Sequence, residues 1–501
     1  MKCFSAPGKA LLAGGYLVLD PKYKAYVVAL STRMHSVTEG EPVAAAPNTS
    51  RIIVDSPQFL GGTWSYDFPV PFVGTLQDTS ASRNPFLLST IETILGYVEP
   101  ESHATIKITI FSDPGYHSQN DAMVKESNGK RFLYHKDTIS NVPKTGLGSS
   151  AGLVTVLTSG LLSYYKPELD LFSEIGLRTV HNLAQISHCA AQGKVGSGFD
   201  VAAATYGSII YQRFDPEIIN GLIKYKEEVF SSSPTEYSKK LQSVVNCKWE
   251  MIIQKCDLPP QVRILMGDVN NGSETPKLVS KVLKWRKENP EEAGNLYHDL
   301  NFYNMKLVSE LLTLTQISIE NPERYEADLI SFVDDYSLIQ LKHLIKMSGS
   351  SSNFPDSLKP LLDIIESVSS IRGGLQSLTK KTGADIEPME QTILLDNCFA
   401  LPGVLGGVVP GAGGYDAICL LCSEKAIPKI LKLTAAKDAE ELNHIKHELE
   451  SSSIHRQQEF SNVDLDCFDP SLFKSVTWLD LHEENTGLVK EDPLHYVELL
   501  N

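Results

Sequence analysis

The 501-residue chain reads as an α+β protein built in two lobes. Three observations predict this. Strand-like segments crowd into the first 140 residues. Helical periodicity takes over from residue 147 and dominates beyond about 225. The later strands stand singly among helices and do not alternate with them as βαβ units.

Ala25–Leu30, Arg51–Val54, Thr63–Phe68 and Thr105–Ser112 carry β-branched and apolar residues between Gly, Pro and Asp, so they are predicted strands. Leu147–Tyr165 and Leu171–Gln192 have apolar residues at three- and four-residue spacing, which predicts two helices broken at Lys166-Pro167. Gly193–Gly198 is glycine-rich, and Ser208–Phe214 is a strand. Phe230–Tyr237 is serine-rich and reads as a connection, so the lobes are expected at 1–228 and 229–501. In the second lobe Val262–Asp268 is a strand. Helices are expected at Thr275–Lys287, Glu292–Ile319, Tyr325–Met347, Ser357–Lys381 and Pro388–Asp396, with a loop at Ser348–Asn353. Glycine-rich Gly403–Gly414 leads into a strand at Asp416–Cys422, and helices near Ile427–Thr434 and Ala439–His455 follow.

Charge excludes some partners. The balance of 45 Lys+Arg against 61 Asp+Glu gives −16, whereas nucleic acid and anionic membranes both need a basic face. No apolar run reaches the ~18 residues of a membrane span. The 8 cysteines are scattered. Cys419 and Cys422 have CxxC spacing, but they lie in the apolar run Ala417–Cys422 and no second CxxC completes a zinc site, so they read as buried strand cysteines in a reduced set. Nothing at the N-terminus resembles a signal peptide, and a cytoplasmic location is expected.

The most specific segment is Pro143-Lys-Thr-Gly-Leu-Gly-Ser-Ser-Ala-Gly152, just ahead of a long apolar-periodic helix. Glycines let a backbone approach a ligand closely, and a helix N-terminus offers unpaired N–H groups, so the pair makes an anion site suited to phosphate. Ser149 and Ser150 can cap the helix, contact phosphate or reach a metal. The segment is neither G-x-x-x-x-G-K-[ST] nor G-x-G-x-x-G. Near the N-terminus, Ser5-Ala-Pro-Gly-Lys9 sets a lone lysine among Gly and Pro. Alone, Lys9 would be an ordinary solvated charge. Gly193-Lys-Val-Gly-Ser-Gly-Phe-Asp200 puts an acid after a glycine turn, where it can also serve as a plain helix cap. Gly406–Asp416 reads as a tight loop, and Gly272-Ser-Glu-Thr-Pro276 opens a helix.

Taken together, these segments resemble the GHMP kinases. Ser5–Lys9, Pro143–Ala151 and Gly411–Gly414 match the family's three motifs in order, across nearly the whole chain. Asn84-Pro-Phe86, Lys144–Leu153, Ala191–Asp200 and Gly272–Pro276 are similar to the fungal and plant branch that phosphorylates phosphomevalonate. The Gly-Glu-His of mevalonate kinases and the sugar segment of galactokinases are absent, and Gly14-Gly15-Tyr16 stands instead. The resemblance implies a lobe like the second domain of ribosomal protein S5, followed by a ferredoxin-like lobe with added helices. It implies transfer of phosphate from ATP with Mg²⁺ to 5-phosphomevalonate, on the mevalonate route to isoprenoids and sterols. It makes Lys9 and Asp200 catalytic. Asn84, Lys144, Thr145, Gly146, Leu147, Gly148, Ser149, Ser150 and Ala151 become nucleotide contacts, with Ser150 also on the metal. Ser5, Lys9, Tyr16, Lys194, Ser197, Ser273, Thr275, Gly411, Ala412 and Gly413 fall on the acceptor side. Partners are then small molecules only, with no nucleic acid, membrane or obligate protein.

One departure concerns the metal. Where mevalonate kinases carry a metal-binding Glu ahead of the catalytic Asp, this chain has Cys189, flanked by His188 and Gln192. None suits a hard cation. His188 reads as a packed helical histidine. Two rivals stand beside the main reading: a GHMP kinase for another acceptor (mevalonate or a sugar), and a nucleotide-binding sensor that transfers nothing.

Overall fold

The computed structural model describes residues 1–42, 49–74, 76–117, 122–230, 232–269, 275–330, 333, 336–338, 340–341, 359–438, 440–445 and 468–500. The expected loop Ser348–Asn353 lies outside them, as do about half of Tyr325–Met347 and most of Ala439–His455.

The first lobe is organised by a long central strand. Its strands are β1 (Lys2–Ala13), β2 (Ala25–Pro42), β3 (Thr49–Asp55), β4 (Thr63–Pro69), β5 (Gln77–Asp78) and β6 (Ala104–Ser112). A separate hairpin follows, β7 (Met123–Ser127) with β8 (Lys130–Tyr134), and then β9 (Ile209–Gln212) and β10 (Ile252–Lys255). The sheet runs β10-β9-β2-β6-β3-β4-β5, with β1 on β2. β3 and β6 are parallel, and the other pairs are antiparallel.

β1 occupies a segment whose Pro7 and Gly8 argue against a strand. The ladder tolerates them because its register shifts between these two residues. A Cβ on Gly8 would meet Thr32 Cγ2 at 2.8 Å, so the close strand approach needs glycine there.

Four helices pack on this sheet or on one another: α1 (Pro85–Val98), α2 (Ser149–Tyr165), α3 (Glu174–Gln192) and α4 (Phe199–Tyr206). α1 was not expected from the sequence. Asn84 caps it, accepting from the N–H groups of Phe86 and Leu87, and Pro85 fills its first position. α2 is central, touching β1, β2, α1, α3 and α4.

The supposed connection near 230 is flanked by helices on both sides: α5 (Glu217–Val229) and α6 (Pro234–Asn246). α6 buries Tyr237, Leu241 and Val245 and packs on α1 and α3. β10 then pairs with β9. The first sheet therefore takes in residues from both sides of the expected 228/229 boundary.

The second lobe holds β11 (Val262–Asp268), β12 (Val404–Val408), β13 (Ala417–Ser423) and β14 (Thr477–Trp478), antiparallel in the order β12-β13-β11-β14. Its helices include α7 (Thr275–Glu288), α8 (Pro290–Glu320), Lys359–Thr382 and Met389–Cys398. The first half of glycine-rich Gly403–Gly414 is strand β12, whose register shifts between Val404 and Gly406, and only the second half is loop. Cys419 and Cys422 are buried free thiols on β13, as expected. Among the described residues no helix is long and apolar enough to cross a membrane.

The C-terminal residues return to the first lobe. β15 (Glu483–Glu484) pairs with β2, and β16 (Val489–Glu491) pairs with β1. A buried polar network holds them. Arg33 Nη1 lies 2.9 Å from Glu484 Oε2, and its Nε donates to Ser5 Oγ at 2.7 Å. Ser5 Oγ donates to Glu491 Oε1 at 2.6 Å. His35 bridges Tyr496 and Asp113, each at 2.9 Å.

Candidate active site

Three distant pieces of chain meet at the N-terminus of α2. The loop before it turns at Gly146 (φ 76°) and Gly148 (φ 85°), a backbone region costly for any residue with a Cβ. Lys9 lies along this loop. Its N–H donates to Leu147 O at 3.0 Å and its Nζ to Gly146 O at 2.7 Å. A Cβ on Gly148 would stand 3.3 Å from Lys9 Cγ and Cε and 3.8 Å from Asp200 Cβ. Gly148 therefore leaves the gap that both the lysine and the acid border. Burial pushes the Lys9 ammonium below the ordinary lysine pKa, and the Asp200 carboxylate pulls it partly back.

Asp200 sits in the first turn of α4, which starts from Gly198 at φ 78°. Its Oδ1 accepts from the Val201 N–H at 2.9 Å. Its Oδ2 lies 3.9 Å from His188 Nε2. The same His188 nitrogen is 3.0 Å from Ser150 Oγ and 3.5 Å from Gln192 Nε2. His188 is packed, with its ring 5.4 Å from Phe86, but it also joins Ser150, expected on the metal, to Asp200, expected to be catalytic. Cys189 is buried, which pushes its thiol up to about 11 and keeps it from acting as a thiolate ligand. Among the described residues no three His, Cys, Asp or Glu gather into a metal cage. Ser150 and Asp200 supply oxygens suited to Mg²⁺, which takes few protein ligands when a nucleotide brings phosphates.

Beside this junction lies a cavity of about 410 Å³, walled by Asn84, Phe86, Ile139, Lys144, Ser149, Ser150 and Leu153 among others. Four of the expected nucleotide residues thus line one space: Asn84, Lys144, Ser149 and Ser150. Burial lowers the Lys144 pKa. Thr145, Leu147 and Ala151 turn inward. The Thr145 hydroxyl donates to Gly115 O at 2.6 Å, and the other two side chains belong to the core. What these three can offer a ligand is backbone.

The acceptor-side residues divide. Tyr16, at φ 63°, donates its hydroxyl to Ala412 O at 2.6 Å, joining the turn after β1 to the second lobe's glycine loop. A Cβ on Gly15 would lie 3.6 Å from Gly411 O, while one on Gly413 would strike Ile386 O at 2.2 Å. Lys194 is exposed, and Ser197 is half-buried with its carbonyl accepting from Tyr211 at 3.0 Å. Ser5 does not join them. It is fully buried, and its hydroxyl is committed to Glu491 and Arg33, so its part is in the tail network. Ser273 lies outside the described residues. Thr275 opens α7, and its side chain is not among those described.

Sequence reasoning missed the joining role of His188. It also missed Arg213, which donates to Leu19 O and Gly196 O. No local signal marks either residue, because the partners are remote in sequence.

Known proteins are similar to this chain in sequence and fold. The model for the N-terminal domain of GHMP kinases matches residues 121–208. A Candida albicans phosphomevalonate kinase is 42% identical over 500 residues, covering 99% of this chain and 100% of that protein. A Gibberella zeae phosphomevalonate kinase is 37% identical, covering 84% of this chain and 87% of that one. The solved structure of Streptococcus pneumoniae phosphomevalonate kinase in complex with phosphomevalonate and AMPPNP shares the fold. Its TM-score is 0.53 at 16% identity, over 97% of this chain and 100% of that one. With identity this high from end to end and the first two of the family's motifs meeting at the start of α2, the chain belongs to the phosphomevalonate kinase family of GHMP kinases.

Proposed function

We propose that the chain transfers the γ-phosphoryl group of ATP to 5-phosphomevalonate, giving ADP and 5-diphosphomevalonate, a step toward isoprenoids and sterols. One observation carries the reading: Lys9 and Asp200 flank Gly148, the residue directly before Ser149 and Ser150 of the cavity wall, so phosphate bound by the glycine loop would lie beside both.

Phosphoryl transfer asks a protein for positioning and charge neutralisation. The N-terminus of α2 presents unpaired N–H groups to the β- and γ-phosphates. Lys9, a compact cation, stabilises the charge that spreads over the transferring group. An Mg²⁺ held by Ser150, Asp200 and the nucleotide would neutralise phosphate charge there. The acceptor is itself a phosphate with a second pKa near 6, so at pH 7 it is already mostly a dianion. Its difficulty is repulsion, and no strong base is needed. Asp200 therefore orients Lys9, with whose charge it interacts, and the acceptor. Lys144 serves the nucleotide side. Lys194, Ser197, Ser273 and Thr275 serve the acceptor's phosphate and carboxylate. The seven described cysteines are free thiols, which suits a reducing compartment such as the cytoplasm.

The test is coupled ADP release with Mg²⁺-ATP, comparing 5-phosphomevalonate, mevalonate and galactose. Turnover with 5-phosphomevalonate alone is expected. Turnover with another acceptor would overturn the substrate, and saturable ATP binding without turnover would mean a sensor.

A further inference from the structure

Arg213 follows β9 and is only 5% exposed. Its guanidinium forks between carbonyls from two parts of the chain, with Nη1 donating to Leu19 O at 2.7 Å and Nη2 to Gly196 O at 2.6 Å. Its Nε is buried without a partner, and among the described residues it enters no ion pair. The Asp20 and Asp215 carboxylates act on its charge from a distance, but neither pairs with it directly; a buried charge without a direct ion pair is costly, so a role beyond packing is called for.

The two carbonyls belong to the segments on either side of the acceptor region. Leu19 closes the turn after β1, in which Tyr16 reaches Ala412. Gly196 lies in the loop that delivers Asp200. Tyr211, on β9 two residues before Arg213, grips that loop too, donating to Ser197 O at 3.0 Å. Neither segment contributes to the wall of the nucleotide cavity.

We propose that Arg213 is the positioning residue of the acceptor side. Its planar fork fixes the spacing between turn 14–20 and loop 193–198, and so sets where Asp200 and the acceptor contacts stand. This rests on the proposed function in taking those two segments as the acceptor side. The geometry makes the effect one-sided: acceptor binding should suffer and nucleotide binding should not.

The test is steady-state kinetics on full-length Arg213→Lys, Arg213→Met and Tyr211→Phe, varying each substrate with the other saturating, alongside thermal melting. Lysine keeps the charge but cannot bridge two carbonyls in a fork. Both Arg213 variants should raise the KM for 5-phosphomevalonate about tenfold or more and leave the KM for ATP within about twofold. Tyr211→Phe should give a smaller rise of the same selectivity. Wild-type KM in Arg213→Lys would overturn the fork. So would equal rises in both KM values, or activity that falls only with folded fraction. If the Arg213 variants do not fold, Tyr211→Phe decides, and unchanged kinetics there overturn the proposal. Should wild type use another acceptor, the functional reading falls, and the same split measured with that acceptor still judges Arg213.

Discussion

Replacing Glu491 by Gln should loosen the C-terminal strand from the first lobe. Glu491 is 10% exposed on its side chain, and its carboxylate accepts from Ser5 Oγ at 2.6 Å and Lys130 Nζ at 3.0 Å. Burial works to raise its pKa, but the Ser5 bond and the Lys130 charge outweigh it and hold the group down to about 2, from an ordinary value of 4.5. That difference of about 2.5, at about 1.4 kcal/mol for each pKa unit, is worth about 3.5 kcal/mol to the docked tail. Because the folded value is the lower one, the stabilisation is full above pH 4.5 and is lost as pH falls toward 2. Amide hydrogen exchange at residues 489–491 reads it directly. Glu491→Gln should lower protection there by roughly 10²-fold at pH 7, and the wild type should lose the same protection between pH 4.5 and 2 while the variant stays flat. Equal protection at pH 7, or parallel acid losses in both proteins, would refute the reasoning.

Three further outcomes follow from the same geometry. Lys9→Met should cut kcat roughly 10²–10³-fold and Asp200→Asn only about tenfold, since a phosphate dianion needs charge neutralised more than a proton removed. An Asp200→Asn loss as large as that of Lys9→Met would count against the orienting role. Gly148→Ala forces a side chain into φ 85° and sets its Cβ 3.3 Å from the Lys9 methylenes, so melting should show about 1–2 kcal/mol lost and kcat/KM should fall with it. Alkylation at pH 8 read by mass spectrometry should label exposed Cys247 and spare Cys419, whose thiol burial pushes up to about 12.

Much of the fold was legible where a segment's own residues decide its structure. Val262–Asp268 is a strand over its predicted span because an apolar run between Pro259-Pro260 and Asn270 admits little else. α2 and α3 follow from apolar spacing sustained over several turns. β1 was hidden because Pro7 and Gly8 are strand breakers in isolation. Only the neighbouring β2, shifted in register at that point, makes them fit. α6 was hidden by the serines before it, although its Tyr237, Leu241 and Val245 lie on one helical face. β15 and β16, of two and three residues, carry no periodicity to read. At the site, Lys9, Gly148 and Asp200 were legible as motifs. The committed hydroxyl of Ser5 was not, because both of its partners depend on tertiary packing: Arg33 on the adjacent strand, and Glu491 at the far end of the sequence.

The tail bears on the chemistry through β1. Lys9 is fixed by its own strand at one end and by the glycine loop at the other, and a phosphoryl-transfer site tolerates little misplacement. β1 is long, and its pairing with β2 shifts in register at Pro7/Gly8, one residue before Lys9. Its first half, Lys2–Pro7, pairs in regular register with β2 on one edge only. β16 supplies the second edge at Cys3–Ser5, and Arg33 and Glu491 lock it through the Ser5 hydroxyl. The residue that resembled a substrate contact thus anchors the strand that carries the catalytic lysine. Loss of the tail should therefore lower kcat through Lys9 without altering any residue of the nucleotide cavity.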